Sequence, residues 1–245
     1  MICRLLDTTG VPYVLQPFHQ GRFCGTNVIV RHPGVSRKAI VLAAHYDGPG
    51  AYDNASGVAV LLAFAHLLGR ARQRHPVYVC FLDREEQGQA GAMAVLREHA
   101  RTRGRKRSGI RETVALAVVV DGCGLGRDCV AIEGGSAWDL RVGGKLLKIR
   151  VAADSARFAA AGIPCLHCCS LPAREARQLL LNRCIPSSWR HLHALTDRPS
   201  LLSGRMLRNN LSWLVRLVRN AARHEVPRAD PALACSVVSE GSENV

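Results

Sequence analysis

Aromatic side chains are scarce in this chain, at 5% of its residues, and no tyrosine follows Tyr78. That scarcity removes the stacking platforms on which a single-strand nucleic-acid binder lays its bases. Acidic residues are in deficit as well, 19 against 33 lysines and arginines, which leaves a net charge of +14. Long apolar runs are missing: none reaches the ~18–20 residues that cross a bilayer. The first ten residues, Met1 to Gly10, lack the apolar core and small-residue cleavage site of a secretory signal. As it stands the sequence therefore predicts a cytoplasmic protein with no membrane partner. An incomplete N-terminus would point to the periplasm or to secretion instead.

Cysteine is present in number, but the patterns that would make it structural are absent. The ten cysteines, Cys3, Cys24, Cys80, Cys123, Cys129, Cys165, Cys168, Cys169, Cys184 and Cys235, are scattered through the chain. Cys165-Leu-His-Cys168 is a CxxC without the second pair that completes a structural zinc site. Several of the others lie in strand-like apolar runs, so the expectation is buried, reduced thiols.

Much of the positive charge falls between Arg97 and Arg111, above all in Arg101-Thr-Arg-Gly-Arg-Lys-Arg107. No aromatic residue interleaves that run. It reads as a solvated loop between a helix and a strand, and the sequence argues against a nucleic-acid partner.

A chain of 245 residues suits one domain with a substantial core. The expectation is a single domain over residues 1–225, with 226–245 a disordered tail. Gly10–Gln16 and Gly25–Arg31 predict two short strands, and Lys38–Ala44, Val77–Leu82 and Thr113–Val120 predict buried ones. Lys145–Val151 and Gly162–Leu166 predict two more. Helices are expected over about 57–72, 90–99, 155–161, 173–182 and 201–224. The glycine-rich region from Cys123 to Gly144 has no readable period. The fold class is α/β: a three-layer arrangement with a mostly parallel central sheet flanked by helices.

Three successive predicted strands deliver acidic groups at their carboxyl ends. His45, Asp47 and Asp53 follow the first, Glu85 and Glu86 the second, and Asp121 the third. A parallel sheet brings such ends to one edge, where open α/β sheets bind their ligands. Together with a late histidine, imidazoles and carboxylates make a donor set that suits zinc.

These pieces resemble the di-zinc aminopeptidase family of the leucyl-aminopeptidase type, to which glutamate carboxypeptidases and glutaminyl cyclases are related. The matching segments are Gly25-Thr-Asn27-Val, His45-Tyr-Asp47, Asp53-Asn-Ala-Ser-Gly57, Glu85-Glu86, Asp121, Ala153-Asp154 with Phe158, Gly162-Ile-Pro164 and His193-Ala-Leu-Thr-Asp197. They occur in the family's order from about residue 20 to residue 205. The resemblance implies a zinc exopeptidase-like fold and two zinc ions per chain. His45 would bind one zinc and His193 the other, Asp53 would bridge them, and Glu86 and Asp121 would complete one sphere each. Glu85 would be the general base acting on a water between the metals, and Asp47 would hydrogen-bond the His45 ring.

The activity implied is hydrolysis of N-terminal bonds in a peptide or small amide. The family commonly supplies a late tyrosine or similar oxyanion donor. With no tyrosine after Tyr78, His167 and His191 are the candidates for that role. Two other readings stand beside the peptidase: a glutaminyl cyclase-like enzyme with a single zinc, and a catalytically inactive binding relative. Nothing in the sequence fixes an oligomeric state.

Overall fold

A computed structural model describes residues 1–69, 73–102, 110–133, 145–147, 153–182 and 184–223. In chain order the elements are α1 (Ile2–Thr8), β1 (Tyr13–Gln20), β2 (Phe23–His32), β3 (Lys38–His45), α2 (Ser56–Leu68), β4 (Val77–Leu82), α3 (Ala90–Thr102), β5 (Thr113–Val120), β6 (Asp128–Glu133), β7 (Lys145–Leu147), α4 (Asp154–Ala160), β8 (Cys165–Leu171), α5 (Ala173–Asn182) and α6 (Gly204–Arg223). The strands form one sheet in the order β1-β2-β4-β3-β5-β8-β6-β7. Its middle, β4-β3-β5-β8, is parallel throughout. The β1–β2 hairpin and β6 join that middle through antiparallel pairings.

The middle strands read as continuous apolar runs because both of their faces are covered. In β3, Ile40, Leu42 and Ala44 pack toward α1, α2 and α6, whereas Ala39, Val41 and Ala43 join the cluster under α3 and α4. The period of two along each strand thus feeds two cores, and the molecule has three layers. From α2, Val58, Val60, Leu61 and Phe64 are buried. Each such side chain contributes ~1.5–3 kcal/mol. With its π-helical entry, the segment Ala51–Leu68 has the length and composition of a membrane span, but most of it is buried in this core.

Several boundaries differ from expectation. The helix expected over 57–72 ends at Leu68, and that expected over 201–224 begins at Gly204 after a 3₁₀ turn, Pro199–Leu201. The strand expected over Gly162–Leu166 instead runs Cys165–Leu171. Gly162 has φ +71 and closes α4, with the Ile163 N–H donating to Phe158 O at 3.0 Å, so it belongs to a helix end. Of Lys145–Val151, only Lys145–Leu147 is among the described residues and is a strand.

The nine described cysteines are free thiols, five of them buried. Cys165 and Cys168, three apart on β8, lie in different cores on opposite faces of the sheet, which takes the CxxC out of use as a chelating pair. Residues 103–109 of the basic run, Cys235 and the tail expected at 226–245 lie outside the described residues.

Candidate metal centre

The order β4-β3-β5 puts three parallel carboxyl ends side by side. The chain lays β4 on one flank of β3 and β5 on the other, and a reversal of this kind opens a crevice at the strand ends. His45 is the last residue of β3, Glu85 and Glu86 follow β4, and Asp121 follows β5. Asp53 enters from the π-helical turn Ala51–Ala55 ahead of α2, where its backbone is kinked to φ −103, ψ 94. Gly57 is what lets that turn come close. A Cβ there would lie 2.2 Å from Val120 O, so a side chain would push α2 off the end of β5.

All five expected ligands meet at this edge. Asp53 Oδ1 lies 3.0 Å from His45 Nε2, and Asp53 Oδ2 lies 3.0 Å from His193 Nε2. Asp121 stands on the His45 side, 3.7 Å from Nε2, and Glu86 on the His193 side, 3.5 Å from Nδ1. Donor atoms of His45, Asp53 and Glu86 also lie within 4.8 Å of one another. The two sides differ in exposure: the His45 side chain is 4% exposed and that of His193 64%. His193 sits at φ +58, a left-handed conformation that a non-glycine residue adopts at a cost, and one that recurs at functional sites.

The electrostatics call for a cation. Burial alone would lower the His45 pKa, but Asp121, Asp47 and Asp53 around it outweigh that and raise it far above its ordinary value. Asp53 Oδ1 and His45 Nδ1 are buried with no hydrogen-bond partner. Buried polar atoms of this kind go unpartnered only when something else satisfies them. A metal ion fits the donor set of His45, Asp53 and Glu86, with Asp121 and His193 beside it.

Glu85 is not among these donors, and burial followed by the nearby charges pushes its pKa up to about 7. Asp47 holds it by the backbone. The Glu85 N–H donates to Asp47 Oδ1 at 2.9 Å and the Glu86 N–H to Oδ2 at 3.2 Å. The contact expected with the His45 ring is the longer one, 3.5 Å from Nδ1 to Oδ1. These donors hold the Asp47 pKa below its ordinary value even though burial pushes the other way.

Three further residues shape the site, and the sequence gives them no assigned role or only a candidate one. Asn27, fully buried, donates to Gln16 Oε1 (2.8 Å) and Gly91 O (3.0 Å) and accepts the Asp83 N–H (3.0 Å). It thereby latches both ends of the 83–91 loop that carries Glu85 and Glu86. Asp154 is 1% exposed with neither carboxyl oxygen paired. Burial, then the charge of Glu85, drives its pKa well up. His167, on β8, is buried with Nδ1 unpaired, and burial lowers its pKa while it feels the charges of Asp121, His45 and Asp53. The other imidazole candidate for oxyanion donor, His191, pairs with Thr196 Oγ1 at 2.9 Å within its own loop. Asp154 stands in a segment the sequence already matched and His167 was already a candidate, but neither residue's burial could be read from the sequence.

Fold and site together define an α/β protein with a candidate metal centre at the carboxyl ends of its parallel strands. Residues 27–141 match the model of Peptidase family M28, the family the sequence motifs resemble. No curated protein matches the chain by sequence. Among solved structures, the chain is similar to the LapA aminopeptidase of Legionella pneumophila, with TM-score 0.65 and 16% identity over 91% of this chain and 62% of that one. It is similar to the glutaminyl cyclase of Porphyromonas gingivalis, with TM-score 0.64 and 15% identity over 89% of this chain and 86% of that one. The third, BSAP, a zinc aminopeptidase from Bacillus subtilis, gives TM-score 0.63 and 19% identity over 82% and 51%. The chain thus spans less than two thirds of the length of LapA and BSAP, but 86% of that of a leucine aminopeptidase precursor from Bacteroides thetaiotaomicron. At these identities the likeness is one of fold.

Proposed function

We propose that this chain is a zinc-dependent exopeptidase that hydrolyses N-terminal peptide bonds. The observation that carries the reading is the double aspect of Asp53, one oxygen 3.0 Å from each of two imidazoles that lie on different elements. A carboxylate shared in this way fits a bridge between two metals. Zinc held here would polarise a carbonyl and bring the pKa of a water toward ~7.

The chain's own residues supply the rest. Glu85, with a pKa near 7 and its backbone fixed by Asp47, is suited to take a proton from the attacking water and pass it to the leaving amine.

Glutaminyl cyclisation is the second reading, because the fold is shared with the Porphyromonas cyclase, of which the chain spans 86%; it spans the same share of a leucine aminopeptidase precursor, so length does not separate the two. One experiment separates them. Zinc-loaded protein is incubated with a peptide that begins with glutamine, and the products are weighed by mass spectrometry. Release of free glutamine supports the peptidase, and loss of ammonia from an otherwise intact peptide supports the cyclase. An unchanged peptide, with aminoacyl amides also untouched, counts against both and leaves the inactive relative.

A further inference from the structure

We infer that Asp197 is a positioning residue for the bridging carboxylate, a strut that ties the loop bearing His193 to the turn bearing Asp53. The inference rests on the reading that Asp53 is shared by two metal half-sites. Asp197 is buried, and its side chain takes three consecutive backbone donors from a segment more than 140 residues away. Oδ1 accepts the N–H groups of Ala51 (3.0 Å) and Tyr52 (2.6 Å), and Oδ2 accepts that of Asp53 itself (3.0 Å). Successive amides converging on one carboxylate make an anion nest, and hydrogen bonds to an ionised acceptor are roughly twice as strong as neutral ones.

The geometry explains the kink. Asp53 leaves helical geometry at φ −103, ψ 94, and its own N–H is one of the three held. Gly50 makes room: a Cβ there would fall 1.9 Å from Asp53 O and 2.5 Å from Asp197 Oδ2. On the other side the strut is short and stiff. The Asp197 N–H donates to Ala194 O at 2.9 Å and that of Ala194 to His191 O at 3.1 Å, so His193 lies in the turn immediately before the one that Asp197 closes. The Asp197 carboxylate holds the backbone of Asp53 while its own backbone continues from the His193 turn, so one residue links the two without touching the ligating atoms of either.

The test uses the full chain and three proteins: wild type, Asp197→Asn and Glu175→Gln. Asp197→Asn keeps the shape but turns an amide N–H₂ toward one of the donors. Glu175 anchors the same loop elsewhere, through Ser187 and Ser188, the latter beside the Tyr52 hydroxyl, and takes none of the Ala51–Asp53 backbone donors that Asp197 holds. Zinc affinity is measured by competition with a chromophoric chelator, and amide exchange of residues 50–55 by mass spectrometry on metal-free protein. The expected result is faster exchange at Ala51–Asp53 and a 10–100-fold loss of zinc affinity in Asp197→Asn alone, in line with residues that orient metal ligands. Unchanged affinity in Asp197→Asn, or an equal loss in Glu175→Gln, overturns the inference. If wild type takes up no zinc, the metal reading fails by itself. Protection of Ala51–Asp53 that Asp197→Asn abolishes then still supports the strut, and protection that survives the substitution overturns it.

Discussion

Asp47 accepts the backbone N–H of Glu85 at 2.9 Å, so a residue on the loop after β3 fixes the proposed proton acceptor on the loop after β4. The second oxygen takes the N–H of Glu86, and the His45 ring stands 3.5 Å away. One carboxylate therefore registers His45, Glu86 and Glu85 against one another. Asp47→Asn is expected to cut kcat about 10–100-fold with KM little changed, because it moves groups and removes no substrate contact. Steady-state kinetics on an aminoacyl amide checks this, and a loss confined to KM speaks against it.

Glu85→Gln removes the proton acceptor and leaves the metal donors in place. Turnover should fall by roughly 100- to 10,000-fold, the range of general acid–base contributions, while zinc content stays as in wild type. Activity that survives, or zinc that leaves with it, would assign Glu85 another role.

The raised Glu85 pKa has a consequence for stability. An unfolded glutamate titrates near ~4.3, and the folded metal-free protein holds this proton until about pH 7. Between those values the folded state binds the extra proton, so the group's contribution is complete below the lower value and is lost as pH rises through the upper one. The slope is below ~1.4 kcal/mol per pH unit, since solvent screens a carboxyl that is partly exposed. Denaturant melts of metal-free wild type should weaken across this window relative to Glu85→Gln. Parallel curves for the two proteins would contradict the assignment.

Gly57→Ala tests how the fold places Asp53. The new methyl would meet Val120 O at 2.2 Å, so α2 must shift away from β5. Overpacking of this kind costs ~1–3 kcal/mol. Zinc affinity should drop along with stability, because Asp53 rides on the entry to α2 and Asp121 on the end of β5. A stable variant with unchanged affinity would show that the close approach does not matter to the site.

Much of this was legible because parallel strands make sequence order into spatial order. His45, Glu85–Glu86 and Asp121 each follow an apolar run with covered faces, and such runs are readable from composition alone. What the sequence hides are contacts between backbone and distant side chains. Asp47 and Asp197 act on N–H groups, and every residue but proline carries one, so no residue type marks the recipients. β6 escaped because its strand is set by pairing with β8 and not by a period of its own. β8 was cut short because its second half, His167-Cys-Cys-Ser170, looks polar yet is wholly buried between elements. The seven-residue α1 has too few turns for a helical period to stand out.

The central claim is that Asp53 serves two metals at once, and zinc content per chain tests it most directly. Protein purified without chelator is measured by elemental analysis in parallel with Asp53→Ala. The account predicts about two zinc ions per chain in wild type, lost together when the shared carboxylate is removed. A wild type with one zinc, or an Asp53→Ala variant that keeps its full complement, would contradict it.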